Sequence, residues 1–396
     1  MFVSVLKVDT SNIGFSIILE IGFVKMMKKL NSLTILFIVT IVMVLLMLIT
    51  LQHPNDMADD EGLLFPELYG QLSSVDTITI KSSQDEFTLY KNGEDWFVKE
   101  RWNFFADFNL VKRALVDLSE AKILERKTNK QEQFAVLSLE GMDAGGDSIH
   151  VNLLEGDTTV AGLVLGRERE LGQTGGERQF YVRRAGEERA WLAEGYLNIN
   201  PLMLNWIKSE VINIARERIA QVNIMQPNGK TATLINLGKK DKFGTPEDLD
   251  KTVFKYAQLG YDIAGSLFQL KMEDVQPAAE FSRGDAEIVS AEFVTFDGLK
   301  IMTETSFDVE DGYYYSTLRA EAVVSGEAPK DIKALDILKT PEQVQEEVAT
   351  LNKQFESWVY RLGGFVGTNL MRSEEDMVTK SDKVIPMPVD VTGFGS

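Results

Sequence analysis

The apolar run from Leu33 to Leu51 constrains this chain more than any other stretch, because no charge falls within it and only Thr34, Thr40 and Thr50 interrupt its hydrocarbon. At about 1.5 Å per residue, a helix of that length reaches roughly 28 Å, close to the apolar thickness of a bilayer. A secretory signal has a shorter apolar stretch and ends at a small-residue cleavage site. This run instead ends in "LITLQHPND". The pattern predicts a retained transmembrane helix over 31–52, with Leu33, Leu36, Phe37, Val44, Leu48 and Leu51 as the membrane anchor. The rival, a buried helix of a soluble domain, fits less well, since such helices seldom lack a polar face over this length.

The flanks predict an orientation. Lys25, Lys28 and Lys29 precede the run, and Asp56, Asp59, Asp60 and Glu61 follow it. Positive charge stays on the cytoplasmic side, so the expected topology is a cytoplasmic segment 1–30 and a periplasmic remainder, in a bacterial inner membrane crossed once. A start at Met26 or Met27 would also give an ordinary basic leader, which leaves the status of residues 1–25 open.

The formal net charge is −19, and the acidic excess lies beyond the anchor, because the first 51 residues hold four cations and two acids. A surface so acidic repels phosphate backbones and argues against nucleic acid as a partner. Cysteine is absent, which removes disulfides, thiolate nucleophiles and cysteine-based metal sites together.

Beyond a polar tether at 53–65, the chain repeats a pattern. "VDTITIKSSQDEFTLYKNGEDWFV" and "IAQVNIMQPNGKTATLINLGKKDKF" both alternate apolar and polar residues around a turn, the signature of a meander. A helical stretch follows each: "NLVKRALVDLSEAKILE", with Leu110, Ala114, Leu115 and Leu118 in one stripe, and "DLDKTVFKYAQLGYDIAGSLFQL", with Leu249, Val253, Phe254 and Ala257. "IHVNLLEGDTTVAGLVLG" is answered by "AEFVTFDGLKIMTETSF", and "QFYVRRAGEERAWLA" by "GYYYSTLRAEAVV". Trp191 and Trp358 then fall at equivalent points. True duplication and chance recurrence of common strand patterns both fit. The expected fold class is α+β: one N-terminal transmembrane helix, then two similar repeats of antiparallel meanders packed with helices, over 66–210 and 211–378. A helical insertion near 328–356, capped by Thr340 with Pro341 in the first position, and a disordered tail at 379–396 complete the expectation.

A search for chemistry is unrewarding. The two histidines are His53 in the tether and His150 in a strand, neither with a second ligand at metal spacing. The glycine-rich "GLVLGRERELGQTGGERQF" lacks the Gly-Lys-Ser/Thr that a P-loop requires and reads as a hairpin loop. "DVEDG" at 308–312 opens like a calcium loop, but "YYYSTLR" follows where further ligands belong, so a turn is the better reading. No Gly-x-Ser-x-Gly is present. The sequence therefore offers no catalytic, cofactor-binding or metal-binding residues, no cofactor and no enzyme class.

"LFPELYGQLSSVDTITI", "FTLYKNGEDWFVKERWNFFADFNLVKRALVDLSEAKILERKT", "FYVRRAGEERAWLA" and "LNKQFESWVYRLGGFVGTNLM" together resemble the bacterial domain-of-unknown-function family 4340, over roughly residues 64 to 378. The resemblance implies a single-pass envelope protein associated with an ABC-type export system, and it carries over no catalytic residue. The resulting expectation is a membrane-anchored, periplasm-facing, non-enzymatic accessory or scaffold protein with a protein partner in the envelope, an ABC transporter in the first instance. The alternative is an envelope ligand-binding or sensing module for a peptide or glycan. A junction pocket lined by aromatics such as Tyr313, Tyr315 or Trp358 would favour that alternative.

Overall fold

The computed structural model describes residues 40, 43, 62–141, 146–169, 178–238, 242–247, 252–324 and 326–379. The compact unit that begins at Leu63 is built on two large antiparallel sheets. The first contains β1 (Gly62–Leu63), β2 (Thr77–Lys81), β3 (Glu86–Asn92), β4 (Asp95–Val98), β5 (Phe104–Phe105), β6 (Lys122–Arg126), β7 (Ile149–Glu155), β8 (Thr158–Glu168), β9 (Gln179–Arg184) and β10 (Ala190–Glu194). The second contains β11 (Glu210–Ile212), β12 (Ile219–Met225), β13 (Thr231–Asn236), β14 (Phe243–Gly244), β15 (Leu270–Pro277), β16 (Ile288–Thr295), β17 (Leu299–Phe307), β18 (Tyr314–Ala322) and β19 (Trp358–Leu362).

The spatial orders are β1-β6-β10-β9-β8-β7-β2-β3-β4-β5 and β11-β15-β19-β18-β17-β16-β12-β13-β14. Strand for strand these are one topology, except that β5 has no counterpart. Trp191 lies at the start of β10 and Trp358 at the start of β19, the matching strand.

Alternation explains the ladders. In β2, Ile78 and Ile80 are buried while Thr77 and Thr79 face outward. Ile78 sits opposite Leu89 on one side and Leu153 on the other, and Ile80 opposite Phe87 and Val151, so one apolar row crosses three strands. In the second sheet Val222 is flanked by Leu234 and Phe293, and Ile224 by Ala232 and Ala291. Such cross-strand rows are the stabilising unit of a sheet. Residues of both sheets join one continuous apolar cluster.

Helical pieces complete the body, among them α1 (Leu68–Gln71), α2 (Phe108–Glu120), α3 (Leu259–Ala264), α4 (Pro341–Phe355) and α5 (Gly364–Leu370). Asp107 caps α2 by accepting from the Asn109 and Leu110 amides. Its buried stripe is Val111, Ala114, Leu115 and Leu118, with Leu110 turned outward, and it stops at Glu120 because Lys122–Arg126 pairs with β10 as β6. Helix α4 begins with a full capping box between Thr340 and Gln343 and has Pro341 in its first turn.

These observations correct the expected fold class. The body is mostly β-sheet, not α+β, because most of the buried apolar residues belong to the strand ladders and the helices only cover them. Among the described residues no helix is long and apolar enough to cross a membrane, so the N-terminal transmembrane helix is not carried forward. The two long helices that are described, α2 and α4, are amphipathic: each buries one stripe and exposes charged residues such as Arg113, Glu120, Glu342 and Lys353. The residues assigned to the anchor and its flank, Leu33, Leu36, Phe37, Val44, Leu48, Leu51, Lys25, Lys28 and Lys29, lie outside the described residues, as does most of the tether.

Two smaller expectations also change. No helix covers 252–258; α3 starts only at Leu259, Val253 is 61% exposed, and Phe254 forms a bridge with Val378. Leu249 lies outside the described residues. The amide of Thr379, the first residue of the expected tail, donates to the Val253 carbonyl at 2.8 Å, and the remainder of the tail is outside the described residues.

Candidate functional site

Two concave regions stand out, a joint between the sheets and a groove on the first half. The joint grows from the turn that links β4 to β5. Trp102 and Asn103 both take left-handed backbone angles, φ 51° and 57°, a conformation that costs a non-glycine residue energy and persists only when its surroundings enforce it. Here the enforcement is visible. The Tyr90 hydroxyl donates to Asn103 Oδ1 at 3.0 Å, the Arg101 guanidinium stacks 4.6 Å from the Trp102 ring centroid, and Trp102 Nε1 donates to Glu280 Oε2 of the second half at 2.8 Å.

The same arm carries two further ties to the second half. Arg101 forms an ion pair with Asp274 on β15, and both side chains are largely buried. Phe104 meets Trp358 edge to face at 4.9 Å. The connection between the halves then runs along β5, with the Asp107 amide donating to the Trp206 carbonyl at 2.7 Å and Lys208 to Phe105 at 2.8 Å.

A cavity of about 260 Å³ remains at this joint, lined by Arg101, Trp102, Asp274, Val275, Gln276, Tyr315, Val359 and Arg361. Of the three aromatics expected at such a junction, Tyr315 lines it and Tyr313 and Trp358 do not. The aromatic faces are already taken. Tyr315 packs on Phe281 at 4.9 Å, Tyr313 carries Arg361 at 4.3 Å, and Trp102 carries Arg101. The Tyr315 hydroxyl donates to Asp311 Oδ2 at 2.6 Å; burial and that carboxylate push its pKa up to about 12, so it stays neutral. The region is therefore a stitched joint with polar walls.

The groove is made from the loop after β10, the end of α2 and the short helix α1. It holds about 310 Å³ and is lined by Leu63, Tyr69, Asp117, Ser119, Glu120, Lys122, Gly195 and Tyr196. Gly195 has φ 151°, and a Cβ there would sit 3.4 Å from the Ala121 Cα, so glycine lets the chain turn tightly over the start of β6 before Tyr196. Tyr69 and Tyr196 are 68% and 63% exposed. Asp117 is half-buried; burial, helped by Glu120 and opposed by Arg113, raises its pKa.

The motifs singled out in the sequence take structural places. His150 is half-buried in β7 beside the Ser148 hydroxyl at 3.1 Å, and burial together with Arg183 and Lys81 lowers its pKa. Gly162 and Gly166 belong to β8, where added Cβ atoms would strike Ala185 and the Leu137 carbonyl. "DVEDG" closes the turn between β17 and β18, with the Asp308 amide donating to the Tyr313 carbonyl at 2.9 Å. Among the described residues no group of three or more acidic or histidine side chains is placed to hold a metal ion.

Neither concave region was foreseen in its particulars. Arg101 comes from the β4–β5 turn, Asp274 from β15, Glu280 from the turn after it and Arg361 from β19, and Tyr69 and Tyr196 come from opposite ends of the first half. The one sequence signal was "RWNFF", whose bulky Trp-Asn pair at a turn implies a backbone held from outside.

Comparison with known proteins gives one match. Residues 96–286 fit the family model described as domain of unknown function (DUF4340), a narrower stretch than the resemblance at 64–378, running from β4 across the joint to the residues just before β16. No curated protein and no solved structure is detectably similar.

Proposed function

We propose that this chain, which carries a domain of the domain-of-unknown-function family 4340, is a non-enzymatic accessory protein of the bacterial envelope. Its two-sheet body faces the periplasm from the inner membrane and docks another envelope protein, an ABC-type transport system first. The observation that supports docking is the joint: an ion pair, a tryptophan hydrogen bond and an edge-to-face aromatic pair tie the two halves at once. Halves tied in this way present surfaces at a fixed spacing, and a preordered surface loses little freedom on association. The envelope location, like the transporter, is what the family resemblance implies.

The test is affinity purification of the tagged full-length chain from native membranes in mild detergent. An ATPase and permease pair should co-purify in stoichiometric amount, and a joint-loosening Asp274→Ala variant should recover less of it. Recovery of the chain without a stable partner, or its presence in the cytoplasmic fraction of gently lysed cells, would overturn the proposal. The alternative, an envelope ligand-binding module, is favoured by the groove between Tyr69 and Tyr196.

A further inference from the structure

We propose that the groove between Tyr69 and Tyr196 binds a neutral sugar unit of a glycan. This proposal stands apart from docking, because it concerns another face of the molecule and survives if no transporter is found. It begins with the two phenol rings. At the joint the aromatic faces are covered by the protein's own side chains, whereas Tyr69 and Tyr196 are each more than three-fifths exposed and both line one concave space. Tyrosine offers an apolar face with a polar tip, which suits the C–H face and hydroxyl rim of a pyranose.

The charges around the space then select among ligands. Asp117 and Glu120 supply acceptors and Lys122 a donor within the same groove. Two carboxylates repel an anion, and a cation drawn to them meets the Lys122 ammonium on the same wall, so neither sign of charge is matched along the whole groove. A polyhydroxyl ligand, able to donate and accept at each position, uses both kinds of group. The Asp117 carboxylate is half-buried beside the end of α2, and Ser119 next to it spends its hydroxyl on the Val116 carbonyl at 2.7 Å. Asp117 gives an acceptor in a partly dehydrated place, where a hydrogen bond from a ligand hydroxyl counts for more than in open water. A space of about 310 Å³ lies at the small end of ligand sites and suits one or two sugar rings.

The experiment titrates the full-length chain with cellobiose, maltose and N,N′-diacetylchitobiose, and with the tripeptide Gly-Lys-Gly as the competing chemistry, by calorimetry and ligand-observed saturation-transfer NMR. At least one disaccharide should bind and the tripeptide should not. Tyr69→Ala and Tyr196→Ala should each weaken that binding about tenfold, Tyr69→Phe should keep most of it, and Asp117→Asn should weaken it about fivefold. Tyr69 and Tyr196 are exposed and Asp117→Asn keeps the shape of the side chain, and unchanged thermal melting shows that the fold persists. The proposal is overturned if none of the disaccharides binds, if the tripeptide binds as well as the sugars, or if sugar binding survives both alanine variants. The comparison of the two N-acetyl-free disaccharides with diacetylchitobiose identifies which sugar class the groove takes.

Discussion

The two halves share an order of strands and differ in what is laid over them. In the first half β9 passes to β10 through a short turn at Gly186. In the second half the matching step from β18 to β19 carries α4, which covers β18 and is clamped to the sheet. Arg218, only 4% exposed, donates through Nε to Asp297 at 2.8 Å and through both terminal nitrogens to Glu347 on α4 at 3.0 and 2.6 Å. Lys339 adds an ion pair to Glu347 and a backbone bond to Asp297, and the Asn352 amide pairs with both backbone groups of Ala320 on β18. The first half has its own helix in the slot before β6, the 13-residue α2, where the second half has the six-residue α3. A common ladder thus tolerates quite different covers, and the covers set the character of each half: a buried ion network in one, an open groove and an arm across the joint in the other.

The sharpest way to break that contrast is Arg218→Met. It takes the guanidinium from between two buried carboxylates, which should cost about 3–5 kcal/mol by urea unfolding, with hydrogen exchange rising first in α4 and β18. A loss below about 1 kcal/mol would mean that the network is no clamp. Next comes the joint. Phe104→Ala removes a buried ring from the contact with Trp358 and should cost about 3 kcal/mol, and unlike Arg218→Met it should loosen β5 and β19 together; exchange confined to the first half would show that the halves are not mechanically tied.

The two helix caps give a finer comparison. Asp107→Ala and Thr340→Ala should each cost about 1 kcal/mol, the first read in α2 and the second in α4. Their effects should add, because the caps share no partner; a clear departure from additivity would show that the two helix starts are energetically coupled.

The smallest effect is a pH difference. Burial pushes Asp297 and Glu347 up, but the bonds from Arg218, joined by Thr295 and the Lys339 backbone at Asp297 and by the Lys339 side chain at Glu347, win and hold both below the usual carboxylate range. A depressed folded-state value contributes stability that is present above the unfolded value, about 4, and is lost as pH falls through the folded one. The native chain should therefore lose stability below about pH 4 more steeply than Arg218→Met does. Parallel acid profiles for the two would show that the network contributes nothing to the second half's stability.

Legibility followed the range of the interactions. Ile78 and Ile80, alternating with threonines, mark β2 as a strand without any partner in view, and Thr340-Pro341-Glu342-Gln343 marks the start of α4 from its own capping chemistry. The segment 252–258 departs from the helix that its spacing predicts, because apolar spacing alone does not distinguish a helix from a segment whose apolar residues are used one at a time, as Phe254 is in its bridge to Val378. For α2 the spacing places Ala114, Leu115 and Leu118 on the buried stripe, and only its first member differs, Val111 in place of Leu110; the pairing of Lys122–Arg126 with β10 sets the helix's end.

What the sequence determined by itself is local: where strands alternate, where two helices begin, that the surface is acidic, and that an apolar run of bilayer length precedes the body. The tertiary structure alone decided that the strands close into two sheets of one order, that α4 is held by Arg218, and that Tyr69 shares a groove with Tyr196. The reason is physical. Alternation, capping and hydropathy act between residues a few positions apart, whereas the partner of a guanidinium or the neighbour of an exposed ring is chosen by how distant strands pair and which cover is laid across them.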